Sequence, residues 1–416
     1  MRKQLRLALL SVHSCPVGHL GGKDTGGMNV YVRELARELG KQGHLVDVYT
    51  RIHDRSDSQI VPLGENARLV HLKAGALNLD KLAIYAYLPE FACNVEHFRK
   101  SNDLRYDMVF SHYWLSGWVG KTLCDWWGIP HMTMFHTIGA IKNTLGLGED
   151  EPELRVETEK YLANNCQRII AATEYEKQQL SMCYGASGDA VSVVPCGVNL
   201  SLFQPIDRRR ARQHLGLDNG KIVLFVGRIE TLKGIDSLVR AVSLLKTTDV
   251  SLVIIGGDAR SRKEIGSLKK LASDLGIANR VDFLGLVKQE KLPYFYSAAD
   301  VCVVPSRYES FGLVALEALA CGTPVVSTRV GDIENIIQPG LTGYVVDKNS
   351  PEQLAVKIAD QLANSKEDCI ELARSSVARF GWSNIADRIT EECLDTLSRG
   401  LGQQEATQPV GCCRSR

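Results

Sequence analysis

Short apolar runs alternate with amphipathic helical stretches along this chain, and the alternation stops once and then restarts. In the first half, Arg6 to Val12, Leu45 to Thr50, Met108 to Phe110, His131 to Phe135 and Arg168 to Ala172 have the length and composition of buried strands. Between the first two lie a glycine-rich loop, Gly21 to Gly27, and a helix predicted over Asn29 to Gln42, with Val30, Leu35 and Leu39 among its apolar positions. The stretch from Val193 to Pro205 breaks the pattern with proline and glycine, and the charged run Asp207 to Arg212 opens a new element. The rhythm then resumes over Ile222–Val226, Ser251–Ile255, Val281–Phe283, Val301–Val304 and Pro324–Ser327. Parallel strands need a crossover, which a helix supplies, so each half is expected to form an α/β parallel sheet. A chain of 416 residues also exceeds what one core organises. The expected division is residues 1–203, residues 204–382, a terminal helix within 383–400 and a disordered tail over 401–416.

Charge nearly balances, 49 Lys+Arg against 48 Asp+Glu, which argues against nucleic acid or an anionic membrane as the main partner. No apolar run approaches the roughly 20 residues of a membrane span. The start, Met-Arg-Lys-Gln-Leu-Arg, is basic like a leader, but its apolar part is short and interrupted by His13 and Ser14, so a first core strand is expected. The 12 cysteines are scattered, with only Cys412 and Cys413 close together, and no Cys-x-x-Cys or Cys/His cluster supplies a zinc site. Thiols inside apolar runs, such as Cys302 and Cys321, suit a reducing cytoplasmic setting.

The chemistry concentrates where predicted strands end. Pro305 closes the Val301–Val304 strand, and Glu309, Ser310, Phe311 and Gly312 then precede the helical run Leu313 to Ala320, which carries Glu317. A helix N-terminus offers unpaired N–H groups and partial positive charge, suited to a phosphate or a polar sugar. Glu309 and Glu317 would grip two parts of one extended ligand; taken alone, such a pair is more often a loop cap and a solvated helix residue. Arg228 and Lys233 follow the Ile222–Val226 strand, where a forked guanidinium and a point charge suit a diphosphate, although isolated cations are more often surface groups. In the first half Gly26 and Gly27 remove Cβ atoms just before a helix, where backbone can approach a ligand. The spacing is not Gly-x-Gly-x-x-Gly, and Tyr49-Thr50-Arg51 stands where an NAD-dependent oxidoreductase needs an acidic residue. A non-catalytic sugar-binding module would not need both cations and both glutamates.

The Glu-x7-Glu segment and the Gly-Arg…Lys-Gly segment resemble motifs of the retaining family 4 glycosyltransferases. Gly-Gly-Met-Asn-Val-Tyr-Val (26–32), Ser-His-Tyr-Trp-Leu-Ser-Gly (111–117), and His136-Thr137 followed by Lys142-Asn143 are similar to the D-inositol-3-phosphate glycosyltransferases of mycothiol synthesis, more than to sucrose-phosphate synthases. The resemblance runs from Arg6 to about Trp382. It implies a GT-B fold: two Rossmann-like domains facing across a cleft, the first binding the acceptor and the second the nucleotide-sugar, with the terminal helix crossing back to the first. By resemblance, Arg228 and Lys233 hold the donor diphosphate, Glu317 the ribose, and Glu309 with the Phe311, Gly312 and Leu313 amides the transferred sugar. Gly26 and Gly27 approach the donor, and His136 lies near the reacting carbon. Asn29, Lys81, Tyr113, Thr137 and Arg155 surround a phosphorylated acceptor; taken singly, cations such as Lys81 and Arg155 are more often surface groups than ligands.

No Asp-x-Asp occurs, so no tightly bound cofactor is expected and a divalent metal is expected to be dispensable, with Arg228 and Lys233 in its place. The implied activity is a retaining transfer from UDP-N-acetylglucosamine or UDP-glucose to a phosphorylated polyol or sugar such as 1D-myo-inositol 3-phosphate. The alternatives are transfer to fructose 6-phosphate and lipid or polysaccharide glycosylation. The expected partners are these small molecules, with a homodimer as an allowed assembly.

Overall fold

A computed structural model describes residues 3–18, 25–146, 150–217, 220–247, 249–363 and 369–406. Gly21 to Asp24, Cys412 and Cys413 therefore lie outside the described residues. Among the described residues, fourteen strands form two sheets. The first contains β1 (Arg6–Leu10), β2 (Leu45–Arg51), β3 (Ile60–Gly64), β4 (Ala67–Leu72), β5 (Met108–His112), β6 (His131–Met134), β7 (Arg168–Ala171) and β8 (Val191–Val193), in the order β3-β4-β2-β1-β5-β6-β7-β8. The second contains β9 (Lys221–Val226), β10 (Val250–Ile255), β11 (Val281–Gly285), β12 (Val301–Val304), β13 (Val325–Thr328) and β14 (Gly343–Val346), in the order β11-β10-β9-β12-β13-β14. All pairings are parallel except β3 with β4.

Helices cover both faces of a doubly wound sheet, so its central strands must be apolar on both sides. β12 illustrates this: Val301, Cys302, Val303 and Val304 are each at most 4% exposed. The second sheet has the strand order of a Rossmann fold, and its order reverses between β9 and β12. In the first sheet the reversal falls between β1 and β5. Loops leaving the carboxyl ends of the strands at each reversal diverge to opposite faces and leave a crevice. Those four loops carry Gly26, Tyr113, Arg228, Lys233 and Glu309 to Gly312, whereas His136 and Thr137 follow β6, and Lys81 and Arg155 lie on the helices Lys81–Ile84 and Glu153–Asn165. The β3–β4 hairpin was not anticipated: Pro62, Arg68 and His71 interrupt its apolar pattern, and it forms an antiparallel edge where a proline is tolerated.

The opening helix, Gly27–Lys41, buries Tyr31, Val32, Leu35, Ala36 and Leu39, whereas Val30 is only half-buried. The terminal helix, Trp382–Ala406, crosses back to the first domain, where Thr390 Oγ1 lies 3.2 Å from His44 Nε2 and the Gln42 amide donates to the Ser383 carbonyl at 3.2 Å. Arg168 of the first domain also pairs with Glu392 and Asp395 of this helix. The helix extends to Ala406 rather than stopping at Gly400, because single glycines cost only about 1 kcal/mol each within a hydrogen-bonded helix. Among the described residues no helix is long and apolar enough to cross a membrane.

Gly256, after β10, has φ +128, and a Cβ there would lie 1.8 Å from the Gly227 carbonyl oxygen, directly before Arg228. Gly256→Ala is therefore expected to lower unfolding stability by about 2–4 kcal/mol, combining left-handed strain with the clash. Thermal or urea unfolding checks this, and a variant as stable as the parent would contradict it.

Candidate active site

The β9 and β12 loops meet in the second domain. Lys233 Nζ lies 2.6 Å from Glu309 Oε1, which also accepts from the Ser306 hydroxyl at 2.8 Å. Arg228 pairs with Glu230 at 2.9 Å and keeps about a third of its side chain exposed, 35%. The Glu309 carboxylate thus fixes the direction of the Lys233 ammonium, and the sequence had not indicated that the two residues touch. Gly312 caps the helix Leu313–Ala320 in the left-handed region at φ +119, a conformation that favours glycine, and this turns the chain from the β12 loop into the helix. Phe311 is buried against Phe380, so only its backbone can face the crevice.

Glu317 is not a solvated helix residue. It is 8% exposed and accepts from the Tyr296 hydroxyl at 2.7 Å. Burial pushes its pKa up to about 7, opposed by bonds from Tyr296 and Gln289 and by the charge of Arg33.

Across the cleft, the β5 and β6 loops place Tyr113 and His136 in positive φ, +77 and +61. The other non-glycine residues in that region among those described are Asn66 and Asp103, ordinary turn types. Strain at a tyrosine and a histidine persists only where the surroundings enforce it, and such residues cluster at functional sites. His136 Nε2 lies 3.1 Å from His112 Nδ1, and burial pushes the His136 pKa down to about 3, so its ring is neutral at physiological pH.

Arg155, 1% exposed, is no surface cation. It donates to the Thr137 carbonyl and hydroxyl, both at 2.9 Å, pairs with Glu159 at 2.7 Å and Glu151 at 2.8 Å, and lies 4.8 Å above the Tyr113 ring. Burial opposes its charge, but the Glu159 and Glu151 carboxylates outweigh that and hold its pKa above the ordinary value. Arg155, Thr137 and Tyr113 are therefore brought into one cluster. His13 completes it, its ring 4.4 Å from Tyr113 and within the electrostatic reach of Lys81, Arg155 and His136. His13 was passed over in the sequence as a break in an apolar run, though its place just beyond β1 was a usable signal. Asn29 has structural contacts: its amide donates to the Ser14 hydroxyl and the Cys15 carbonyl, both at 2.7 Å, and accepts from the Gly26 N–H at 2.9 Å.

The two crevices face each other closely. A Cβ on Gly26 would lie 3.6 Å from Arg228 Nε, and one on Gly27 would lie 3.0 Å from the Leu313 side chain. The Ser310 hydroxyl donates to the His136 carbonyl, Tyr308 packs into the first-domain cluster around Phe135 and Ile138, and Arg33 donates to Gln289. None of Ser310, Tyr308, Arg33 or Gln289 has a sequence signature as a cross-cleft contact, because each partner lies over a hundred positions away.

A family model described as Glycosyltransferase Family 4 matches residues 25–202, and one described as Glycosyl transferases group 1 matches residues 207–376. The chain is 40% identical to the D-inositol 3-phosphate glycosyltransferase of Mycolicibacterium vanbaalenii over 92% of this chain and 88% of that one. It is 36% identical to the Corynebacterium glutamicum protein of the same name over 95% and 97%. Among solved structures, sucrose-phosphate synthase from Thermosynechococcus elongatus is similar with a TM-score of 0.85 and 33% identity, over 97% of this chain and 100% of that one. Anabaena HepE, solved with UDP and glucose, shares the fold with a TM-score of 0.73 at 18% identity, over 94% and 99%.

Glu317 supplies a pH test. A carboxyl whose folded pKa is raised holds its proton more tightly folded than unfolded, so its contribution to stability falls as pH climbs from its ordinary value to about 7. Glu317→Gln is expected to be more stable than the parent above that pH and no more stable at acidic pH. Thermal melts across the range would refute this if the difference were independent of pH.

Proposed function

The chain belongs to the family 4 glycosyltransferases, and we propose that it moves a sugar from a UDP-linked donor to a phosphorylated polyol, inositol 3-phosphate first. One observation carries the reading: paired cations and carboxylates at the β9–β12 switch point face, across the cleft, a buried cluster of Arg155, Thr137, Tyr113 and His13 near Lys81. The names of the relatives favour the inositol phosphate acceptor, and the family supplies the nucleotide-sugar donor.

In this reading Arg228 and Lys233 meet the diphosphate, Glu317 accepts from the ribose hydroxyls, and Glu309 with the Phe311–Leu313 backbone holds the transferred sugar. The bond from the sugar C1 to the phosphate oxygen breaks, and the nucleoside diphosphate leaves with the electron pair. The acceptor hydroxyl oxygen bonds C1 on the same face, and its proton passes to the departing phosphate oxygen, so configuration is retained. Cations fixed beside the leaving group act on charge that grows in the transition state, where a preorganised group contributes most. The neutral His136, beside the reacting carbon, offers a polar contact without opposing the cationic character of the sugar. On the acceptor side, Arg155 holds the Thr137 hydroxyl and the Tyr113 ring in place, and Lys81 contributes charge toward the acceptor phosphate.

A second reading, transfer to fructose 6-phosphate, draws on the likeness to sucrose-phosphate synthase. Incubating the protein with UDP-N-acetylglucosamine or UDP-glucose and a panel of phosphorylated acceptors, scoring UDP release and product mass, separates the two. Transfer to a lipid or oligosaccharide alone would overturn both. Arg228→Ala and Lys233→Ala are each expected to lose turnover by more than about tenfold, with folding intact. Near-normal rates would refute the leaving-group role.

A further inference from the structure

One first-domain side chain reaches the donor half of the site on the side of Glu317. Arg33, on the outer turns of the opening helix, donates from Nη2 to the Gln289 side-chain oxygen across the cleft. Gln289 opens a short turn after β11, is 7% exposed, and its side chain, like the charge of Arg33, favours the ionised form of Glu317. An amide can bridge a guanidinium and a carboxylate because it accepts with one end and donates with the other. With its oxygen held by the donor-only Arg33, Gln289 keeps its amide nitrogen as the end that can donate to Glu317. A glutamate at 289 would set a like charge beside Glu317, and a methionine could make neither bond.

Arg33 is itself aimed. Its Nε donates to Glu34 Oε1 at 2.9 Å, and Glu34, 7% exposed, also accepts from Arg37 at 3.1 Å and from the Asn199 amide at 3.1 Å. Asn199 lies in the segment that joins the two sheets, beside Val198, whose N–H donates to the Phe380 carbonyl at 2.8 Å. A continuous set of bonds therefore runs from the interdomain segment through Glu34 and Arg33 to Gln289, whose side chain acts on Glu317. Its members come from both domains, so it is complete only when the domains stand together.

We propose that Arg33 is a positioning residue for donor binding, orienting Glu317 through Gln289 so that the ribose-side grip is completed by domain closure. The proposal rests on the reading of Glu317 as the ribose contact. It assigns to a first-domain residue a part in holding the donor, and so ties nucleotide occupancy to the closed arrangement. A general clamp would act on both substrates alike, whereas positioning of Glu317 acts on the donor.

The test is steady-state kinetics of the full chain carrying Arg33→Met, Arg33→Lys, Gln289→Met, the double methionine variant and Glu317→Gln, with UDP binding by calorimetry and thermal melts as folding controls. Arg33→Met and Gln289→Met are expected to raise the donor KM by about tenfold, equivalent to about 1.4 kcal/mol, with acceptor KM and kcat little changed. The double variant is expected to be no worse than either single one, since both break the same bridge, and Arg33→Lys to recover part of the loss. If Arg33→Met leaves the donor KM within about twofold while Glu317→Gln raises it, this proposal is overturned and the ribose reading stands. An unchanged donor KM in Glu317→Gln removes the ribose reading and this proposal together. Acceptor and donor KM rising equally in Arg33→Met would overturn the positioning role in favour of a clamp.

Discussion

Val198 donates its N–H to the Phe380 carbonyl, and beside that bond the Trp382 indole lies against Gly197, where a Cβ would come within 2.5 Å of the ring. The chain passes between its two sheets here twice, once outward near residue 198 and once back near residue 381, and the two passages pair as a short parallel bridge. Arg374 reinforces them, donating to the carbonyls of Leu200 at 3.0 Å and of Phe203 and Ala320 at 2.9 Å. One buried apolar cluster runs from Leu7, Leu9 and Val48 of the first sheet through Phe380 and Trp382 to Leu224, Cys302 and Val304 of the second, and it helps set how the sheets are turned relative to each other. That orientation also rests on the paired crossing and on the terminal helix lying along the first domain. The arrangement points both switch-point crevices at one gap, and every cross-cleft contact described above depends on it.

Inside the gap, charge is arranged by pairing and by burial. Lys233 is held by Glu309, Arg228 by Glu230, and Arg155 by Glu151 and Glu159, while half-buried His136 and fully buried His112 are kept neutral. In a water-poor cleft an unpaired charge is costly, so fixed counter-charges let cations remain charged and directed where a substrate must meet them. The positive φ angles of Tyr113 and His136 belong to the same economy of space, since both lie where strands β5 and β6 end at the crevice. Stability spent on strain and buried charge here is offset by strands such as β12, whose side chains are buried on both faces.

Most of the strands were legible because doubly buried strands must be written in apolar residues. Val301–Val304 matches residue for residue, and most of the others differ by one or two positions at their ends. The β3–β4 hairpin, β8 and β14 were not anticipated, being short or broken by polar residues that only an edge position tolerates. At the site, the sequence indicated the residues carried on one loop but not the bonds between loops. Lys233 and Glu309 were separate expectations that the fold turned into one ion pair. Lys81 and Arg155 could not be told from surface cations until folding buried Arg155 and set Lys81 near His13.

By itself, then, the sequence determined the repeated strand–helix rhythm, the break between its two halves, and the glycines, cations and glutamates waiting at strand ends. These are local properties, fixed by the periodicity of burial and the conformations that particular residues allow. Only the tertiary structure decided that Glu317 is buried and titrates near neutrality, that Arg155 organises Thr137 and Tyr113, and that Arg33 reaches Gln289 across the cleft. Burial and electrostatic pairing depend on what stands opposite a residue, and in this protein that neighbour comes from a distant loop, often of the other domain.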